Sequence, residues 1–327
     1  MVSTELFWWR KGFSKEERAV AGKAASALCR FPDAITLASA LSPGKLQACL
    51  QHELSRNPEL FFVSGFRLLY SPLAAVAYPQ YTCPKPDCRA AWEACRERAA
   101  QLVNRVHGPD DYAKALQVHD LLARNVAYVT GTSQDLYTIL GPLTKKQGVC
   151  QGFARTFQYL LDRLGIPCET VYGFSRSPEN GREESHAWNL ARLDGSWAHI
   201  DVTFDTTVRS GQVLRYDYFG LSTQQVLRDH RYDPEKYPAA GPEGLGYYER
   251  NRLVMDTRAQ LREYMARALH AGKTDCVFQL PGAVPSAGLA EKVSAEVQSL
   301  LWQLDVSLGY TVHFNLAQRV FHITFER

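Results

Sequence analysis

The sequence predicts an α+β fold in which a helix that begins at a cysteine packs on an antiparallel sheet. After Cys150, apolar residues at positions 153, 157, 160, 161 and 164 recur at helical spacing, and Gly165-Ile166-Pro167 ends the run. Two alternating segments joined by Asp194-Gly195 predict a β-hairpin with a tight turn. Residues 310–316 and 319–325 alternate in the same way and predict a second hairpin near the carboxyl end.

Other periodic segments divide the chain into three regions. We expect a mostly helical amino-terminal region (1–110), a core region (111–225), and a linker with a small α+β appendage (226–327). The predicted helices cover 14–30, 44–56, 93–106, 113–125, 258–270 and 288–304, and further strands cover 60–70, 74–78 and 276–280.

Composition and charge exclude several classes of partner. The 327 residues include 37 basic and 34 acidic side chains, for a net charge of +3. The basic residues form no stripe interleaved with aromatics, so we expect no nucleic-acid partner. The apolar stretch 60–81 contains Arg67 and Pro72, which argues against a membrane span.

The eight cysteines predict neither a disulfide framework nor a metal site. They are too sparse for a disulfide scaffold, and a nucleophilic cysteine must stay reduced. Cys83, Cys88 and Cys95 lack a matching fourth zinc ligand nearby. We therefore expect no metal and no cofactor.

The first residues do not resemble a secretory signal. Residues 1–11 lack a basic flank before an apolar core. For the sequence as it stands we expect a cytoplasmic location, and the alternative is a secreted or cell-surface protein whose signal has been removed.

A candidate catalytic trio lies in the core region. Gly148-Val149-Cys150-Gln151-Gly152 opens the predicted helix, His186 follows Cys150 by 36 residues, and Asp201 follows His186 by 15. At a helix start, the free N–H groups and the positive end of the dipole favour a thiolate over a thiol. The order suits a thiol nucleophile, its base and an orienting carboxylate.

The predicted hairpin brings the histidine and the aspartate together. If the strands cover 184–193 and 196–204 around the turn, His186 lies opposite Thr203 and Asp201 lies opposite Trp188. His186 and Asp201 are then diagonal neighbours, roughly 7–8 Å apart at the backbone. That separation suits a hydrogen bond that orients the imidazole.

These residues resemble the transglutaminase-like superfamily, whose core is a papain-related cysteine fold. The resemblance implies that Cys150 is the nucleophile, His186 the base and Asp201 its partner. It is greatest to bacterial members without an assigned substrate, and no acidic set resembles the calcium loops of the animal cross-linking enzymes. Besides the trio, the similar segments are Val118-His119-Asp120-Leu121-Leu122, Asn125-Val126-Ala127-Tyr128, Asp135-Leu136-Tyr137-Thr138-Ile139-Leu140, Leu164-Gly165-Ile166-Pro167-Cys168 and Tyr218-Phe219-Gly220-Leu221-Ser222.

Several neighbouring residues carry weaker signals. Tyr137 and Gln147 are candidates for the oxyanion hole or the substrate cleft, with a loop role as the alternative. Trp188 either lines the cleft or is buried in the sheet. Asn189 has the opposite strand parity to His186, so we expect a structural role, and for Asp205 we expect a capping role.

The leading functional hypothesis is a cysteine-dependent enzyme that acts on an amide bond of a peptide or protein through a thioester. Hydrolysis is favoured over transfer to an amine, because water needs no second binding site. One alternative is a non-enzymatic module that binds a peptide or cell-wall polymer in the same groove. Another is an N-glycan amidase, which shares the chemistry.

Overall fold

A computed structural model describes residues 13–38, 41–71, 74–176, 181–208, 213–241, 244–282 and 288–326. Residues 1–12 lie outside these ranges, so the expectation about a signal sequence does too. The chain divides into two compact units. The first comprises Met1–Tyr172 with His186–Trp197, and the second comprises Gly173–Ser185 with Ala198–Arg327.

The first unit begins with helices around a small antiparallel sheet. Its strands follow the order β1-β3-β2, and the buried side chains between sheet and helices include Leu37, Leu46 and Phe62. The first helix, predicted over 14–30, starts at a capping box formed by Ser14 and Glu17. The elements are α1 (Lys15–Leu28), β1 (Ile35–Ala38), α2 (Pro43–Arg56), β2 (Val63–Tyr70), β3 (Ala74–Tyr81) and α3 (Lys85–Val103).

The rest of the first unit holds the predicted helix, most of the first hairpin strand and the hairpin turn. Strands β4 and β5 pair in parallel, while β6, β7 and β8 are successive neighbours in a larger sheet. The elements are α4 (Asp111–Asn125), β4 (Ala127–Tyr128), β5 (Gln147–Gly148), α5 (Cys150–Arg163), β6 (Cys168–Arg176), β7 (Glu183–Leu193) and β8 (Ser196–Ile200). A short 3₁₀ helix, Gln134–Tyr137, and a π-helical turn, Gly141–Lys145, lie between β4 and β5.

Helix α5 is hydrogen-bonded to both β6 and β7. Its buried face includes Phe153, Phe157 and Leu160. The Nδ2 group of Asn189 on β7 donates to the Ala154 carbonyl at 2.9 Å and more weakly to that of Glu169 on β6 at 3.4 Å. The predicted fold class, a helix that begins at Cys150 and packs on an antiparallel sheet, is confirmed, and Asn189 has the structural role expected of it.

The turn between β7 and β8 also caps another helix. Asp194 and Gly195 both have positive φ, at 48° and 90°, as a tight hairpin turn requires. The Asp194 carboxylate accepts from the backbone N–H groups of Asp111 (3.0 Å) and Tyr112 (3.4 Å). Asp110 accepts from Ala113 in the same first turn of α4, so this helix start is fully supplied with acceptors.

The second unit contains two sheet regions. In one, the end of β6 pairs with β10 and the end of β8 pairs with β9. In the other, β11, β13 and β12 form an antiparallel sheet beneath α9 and α10, with Met265, Phe278 and Phe321 in its core. The elements are α6 (Val202–Thr207), β9 (Phe219–Leu221), α7 (Thr223–Val226), β10 (His230–Arg231), α8 (Tyr247–Arg250), α9 (Arg258–His270), β11 (Asp275–Gln279), α10 (Leu289–Gln303), β12 (Gly309–Asn315) and β13 (Val320–Glu326).

A buried ion pair ties the carboxyl-terminal sheet to the segment before β9. Arg215 Nη2 lies 2.7 Å from Asp217 Oδ2, and both side chains are almost fully buried. The same carboxylate accepts from the Tyr248 hydroxyl at 3.0 Å and from Asn315 Nδ2 on β12 at 3.1 Å. Four hydrogen-bonding groups therefore hold three separate stretches of the second unit together.

The second strand of the predicted hairpin is shorter than expected. The strand expected over 196–204 ends at Ile200, and α6 follows at once. Asp201 is the N-cap of α6, where its carboxylate accepts from the Phe204 backbone N–H at 3.0 Å. The predicted pairing of His186 with Thr203 is therefore wrong, because Thr203 lies in the helix.

Two other findings concern the cysteines and the membrane. Cys83 and Cys88 form a disulfide with a Cα–Cα distance of 5.8 Å, which the cysteine count did not predict. Cys95 lies within α3, as expected. Among the described residues, no helix has both the length and the apolar character needed to cross a bilayer.

Candidate active site

Cys150 is the first residue of α5, and the backbone on either side of it is firmly held. The Gly148 carbonyl accepts from the Val129 N–H, and the Val149 N–H donates to the Leu136 carbonyl at 3.2 Å. Val149 is the N-cap and makes no side-chain capping bond. Because Val149 has no side-chain acceptor, it cannot cap the first N–H groups of α5, in contrast to Asp110 and Asp194 at the start of α4.

Gly152 is required for a close backbone approach beside the cysteine. A Cβ atom at this position would lie 2.1 Å from the Leu136 carbonyl oxygen. The space on the side where a Cβ would lie is occupied by the 3₁₀ segment that precedes β5. Gly152 therefore fixes the position of the α5 start against residues 134–138.

Cys150 is more exposed than four of the other free cysteines of the described residues and shares its partial exposure with Cys29. Its side chain is partly exposed, whereas Cys49, Cys95, Cys168 and Cys276 are buried. Burial raises the pKa of Cys95 and of Cys276 to about 12, and raises that of Cys168 well above the ordinary range. Buried thiols of this kind are poor nucleophiles at neutral pH.

His186 lies on β7 in the first unit. Its side chain is largely buried, with 8% of the residue exposed. Its ring stacks on that of Trp188, two positions along the same strand face, with centroids 6.0 Å apart and planes 18° apart. Trp188 itself is 1% exposed, so it supports the imidazole from within the sheet.

Asp201 lies in the second unit, between β8 and α6, and is almost fully buried. Its backbone N–H donates to the Tyr218 carbonyl at 3.0 Å, and its Oδ1 caps α6. Its Oδ2 lies 3.1 Å from Nε2 of His230. A residue that caps a helix in this way has a fixed carboxylate orientation.

His230, on β10, is a neighbour of Asp201 that sequence reasoning missed. Its Nδ1 lies 2.7 Å from Asp229 Oδ1, so the imidazole is placed between two carboxylates. Hydrogen bonds to Asp201 and Asp229 outweigh the effect of burial, which alone would lower the pKa of His230, and raise it above its ordinary value. No local motif marks this histidine, because it comes 29 residues after Asp201.

Three weaker candidates can be located. The Tyr137 hydroxyl donates to the Gly131 carbonyl at 3.0 Å, and the Tyr137 carbonyl accepts from Gln151 Nε2. Gln147 is exposed and pairs through its backbone with β4. Asp205 is buried in α6 and accepts from the Tyr218 N–H at 3.0 Å, a structural contact. Roles of Tyr137 and Gln147 in an oxyanion hole stay predictions.

Comparison with known proteins identifies the family of the segment that contains Cys150. Residues 100–202 match the model of a family described as the transglutaminase-like superfamily. This segment belongs to that superfamily. The resemblance predicted from the sequence is thereby confirmed, and the transglutaminase-like segment includes Cys150, His186 and Asp201.

Relatives of the transglutaminase-like segment include proteins of larger size. Kyphoscoliosis peptidase of Homo sapiens is 30% identical over 115 residues, which are 31% of this chain and 17% of the human protein. The mouse protein of the same name is 29% identical over 105 residues and is matched over 16% of its length. The chain thus spans about a sixth of the curated relatives that it matches.

Solved structures also resemble part of the chain. A putative cysteine protease from Cytophaga hutchinsonii is 18% identical, with 42% of this chain and 61% of that one covered and a TM-score of 0.29. The periplasmic domain of TgpA from Pseudomonas aeruginosa is 20% identical, with coverage of 40% and 53% and a TM-score of 0.26.

Proposed function

We propose that this protein is a cysteine-dependent enzyme that acts on an amide bond of a peptide or protein substrate. Cys150 is the nucleophile, His186 is its base and Asp201 orients His186. The proposal is supported by the transglutaminase-like segment, which contains all three residues in the required order. Such a trio matches the roles of nucleophile, base and orienting group in covalent catalysis.

The reaction divides into acylation and hydrolysis. The Cys150 thiolate attacks the carbonyl carbon, and the resulting oxyanion receives hydrogen bonds from N–H groups of the first turn of α5. The C–N bond then breaks as the His186 imidazolium gives its proton to the departing amine, which leaves a thioester. Water attacks the thioester while His186 accepts its proton, and the acid product and the free cysteine are released.

The observation that carries the proposal is the position of Cys150 as first residue of α5, with a partly exposed thiol behind an apolar cap. The positive end of the helix dipole favours the thiolate there. The apolar cap leaves backbone N–H donors of that turn to a developing oxyanion. A buried structural cysteine would need neither feature.

Hydrolysis is the favoured outcome of the acyl intermediate. Water needs no second binding site, whereas transfer to an amine requires a cleft for the acceptor. The similarity to a protein named a peptidase supports the same choice. The disulfide between Cys83 and Cys88 favours the secreted alternative over the cytoplasm, because cytosolic thiols are kept reduced.

The test compares the alkylation of Cys150 and Cys29 by iodoacetamide, read residue by residue by mass spectrometry. Cys29 is the matched control because it is also partly exposed, while burial raises its pKa to about 11. At pH 7 we expect Cys150 to react at least about tenfold faster, and His186→Gln to remove that advantage.

Incubation with a peptide library then identifies the outcome of the reaction. Mass gains of about 18 shared between fragments indicate hydrolysis, about 1 indicates deamidation, and a loss of about 17 indicates cross-linking. Cys150→Ala should abolish every such change, and Cys29→Ala should leave it intact. Equal reactivity of Cys150 and Cys29, together with no mass change in any peptide, would refute the enzyme and favour a binding module. Full activity in Cys150→Ala would refute Cys150 as the nucleophile.

A further inference from the structure

Two carboxylates hold one buried imidazole within the second unit. Asp201 Oδ2 and Asp229 Oδ1 lie 3.1 and 2.7 Å from the two ring nitrogens of His230. The three side chains are 2%, 7% and 0% exposed, respectively. An ionised carboxylate can only accept, so with both carboxyl groups ionised the two nitrogens both donate and His230 is a cation between two anions.

Asp229, which lies on the side of His230 away from Asp201, is hydrogen-bonded to residues of other elements. Asp229 Oδ2 accepts from the Tyr218 hydroxyl at 2.7 Å. Gln318, between β12 and β13, donates from Nε2 to the same carboxylate at 3.3 and 3.4 Å. Among the described residues, Asp229 thus has three side-chain partners, which are Tyr218, Gln318 and His230. Because His230 also contacts Asp201, the position of Asp229 helps to fix that of Asp201.

We propose that His230 is a positioning residue for the reaction, which keeps Asp201 ionised and holds its carboxylate in one orientation. The inference rests on the proposed function, in which Asp201 orients His186. A carboxylate buried to this degree is costly unless hydrogen bonds compensate it. His230 supplies the charged donor, and the Phe204 N–H supplies the neutral one.

His230 acts only through Asp201, because its side chain is fully buried and cannot reach a substrate. Within the second unit, the titratable groups that face it include Asp201 after the end of β8, Asp229 beside it, His199 on β8 and Tyr218 through Asp229. The centroid of the Phe204 ring lies 5.0 Å from that of the His230 ring, so an apolar side chain covers one side of the imidazole. Burial and the nearby charge of His230 lower the pKa of His199 to about 3, so His199 stays neutral.

Two amide substitutions at position 230 distinguish the effect of the His230 charge from the effect of its hydrogen bond to Asp201. In His230→Gln the side-chain Nε2 can still donate to Asp201, whereas in His230→Asn the amide reaches Asp229 only. The readout is the pH midpoint of Cys150 alkylation by iodoacetamide, which needs no substrate. Without an ionised Asp201 the His186 imidazolium is less stable, so thiolate formation requires a higher pH.

We expect His230→Asn to raise the pH midpoint of alkylation by about one pH unit. This shift corresponds to about tenfold less thiolate at pH values below the midpoint. His230→Gln should raise it by less. Asp229→Asn should react at the native rate near pH 5 and more slowly than native by pH 8, because a His230 without its second carboxylate loses its proton at lower pH. A merely structural role would not produce that pH-dependent difference.

His322→Gln is the matched control, since His322 is a buried histidine of the second unit in the carboxyl-terminal sheet. We expect it to leave the midpoint unchanged. If wild type and His186→Gln share one midpoint, the proposed function fails and this inference fails with it. If they differ while His230→Asn and Asp229→Asn both match wild type, the proposed function stands and the role of His230 is refuted. Should His230→Asn not fold, Asp229→Asn and His230→Gln decide the question.

Discussion

At the scale of single residues, Gly152 shows how closely the cysteine is held. Its α-carbon faces the Leu136 carbonyl oxygen, and a Cβ there would lie 2.1 Å away. We expect Gly152→Ala to destabilise the fold by about 1–3 kcal/mol, because the 3₁₀ segment must move. The same movement should slow alkylation of Cys150.

The control for Gly152 is another helical glycine. Gly44, in α2, has no described atom within 4 Å of its Cβ position apart from its chain neighbours and the backbone of its own helix. Gly44→Ala should therefore be neutral or stabilising by less than about 1 kcal/mol. Urea unfolding of the two variants provides the comparison, and equal stability of the two would contradict the close approach at Gly152.

The residues that could be predicted from the sequence are those with a local signal. Cys150 comes two residues after Gly148 and opens a periodic helix, and His186 and Asp201 lie on either side of an Asp-Gly turn. His230 has no such signal, because its contact with Asp201 depends on how a 29-residue stretch returns to β6. The Cys83–Cys88 pairing was missed for a related reason, since cysteine density says nothing about two particular side chains.

At the scale of elements, periodic segments were predictable and short ones were not. Helices α5, α9 and α10 and the β12–β13 hairpin lie within a residue or two of expectation, because their apolar residues recur over many positions. Strands β1, β9 and β10 have only two to four residues and were not predicted. The strand expected through Phe204 failed because the cap at Asp201 outweighs the strand propensity of Val202 and Thr203.

The element-scale prediction concerns the attachment of β12 to the segment before β9. In Asp217→Asn, the buried Arg215 guanidinium loses its countercharge, and the new amide N–H₂ group competes with donors from Tyr248 and Asn315. We expect a loss of about 3–5 kcal/mol in the free energy of unfolding. Urea titration measures it.

Asp233→Asn is the surface counterpart of this substitution. Asp233 pairs with Lys236 at 3.1 Å, but both side chains are about half exposed or more. The change should cost less than about 1 kcal/mol. If Asp217→Asn were as mild, the buried pair would not be what holds these segments together.

At the scale of the whole molecule, buried neutral histidines predict acid destabilisation. Burial lowers the pKa of His199 to about 3 and that of His322 to about 4. The unfolded chain binds these two protons below about pH 6.5, whereas the folded protein does not. Stability should therefore fall between about pH 6.5 and pH 4, by up to about 2.7 kcal/mol per pH unit.

His230 acts with the opposite sign and outside that window. Its pKa is raised in the folded state, so its contribution is fully present below about pH 6.5 and is lost as the pH rises through the folded value. His199→Gln preserves an acceptor for the Tyr232 hydroxyl and should remove about half of the acid slope. An unchanged slope in unfolding measured from pH 6 to pH 4 would show that His199 is not buried as a neutral ring.

The turn at Asp194 has a consequence for protein engineering. A two-residue hairpin tip is usually a convenient place to insert a tag or to open new chain ends. Here the tip also supplies the acceptor for the first N–H groups of α4, so a loop inserted at Asp194 would uncap that helix. Circular permutants and fusions of this protein should therefore avoid the tip of its central hairpin.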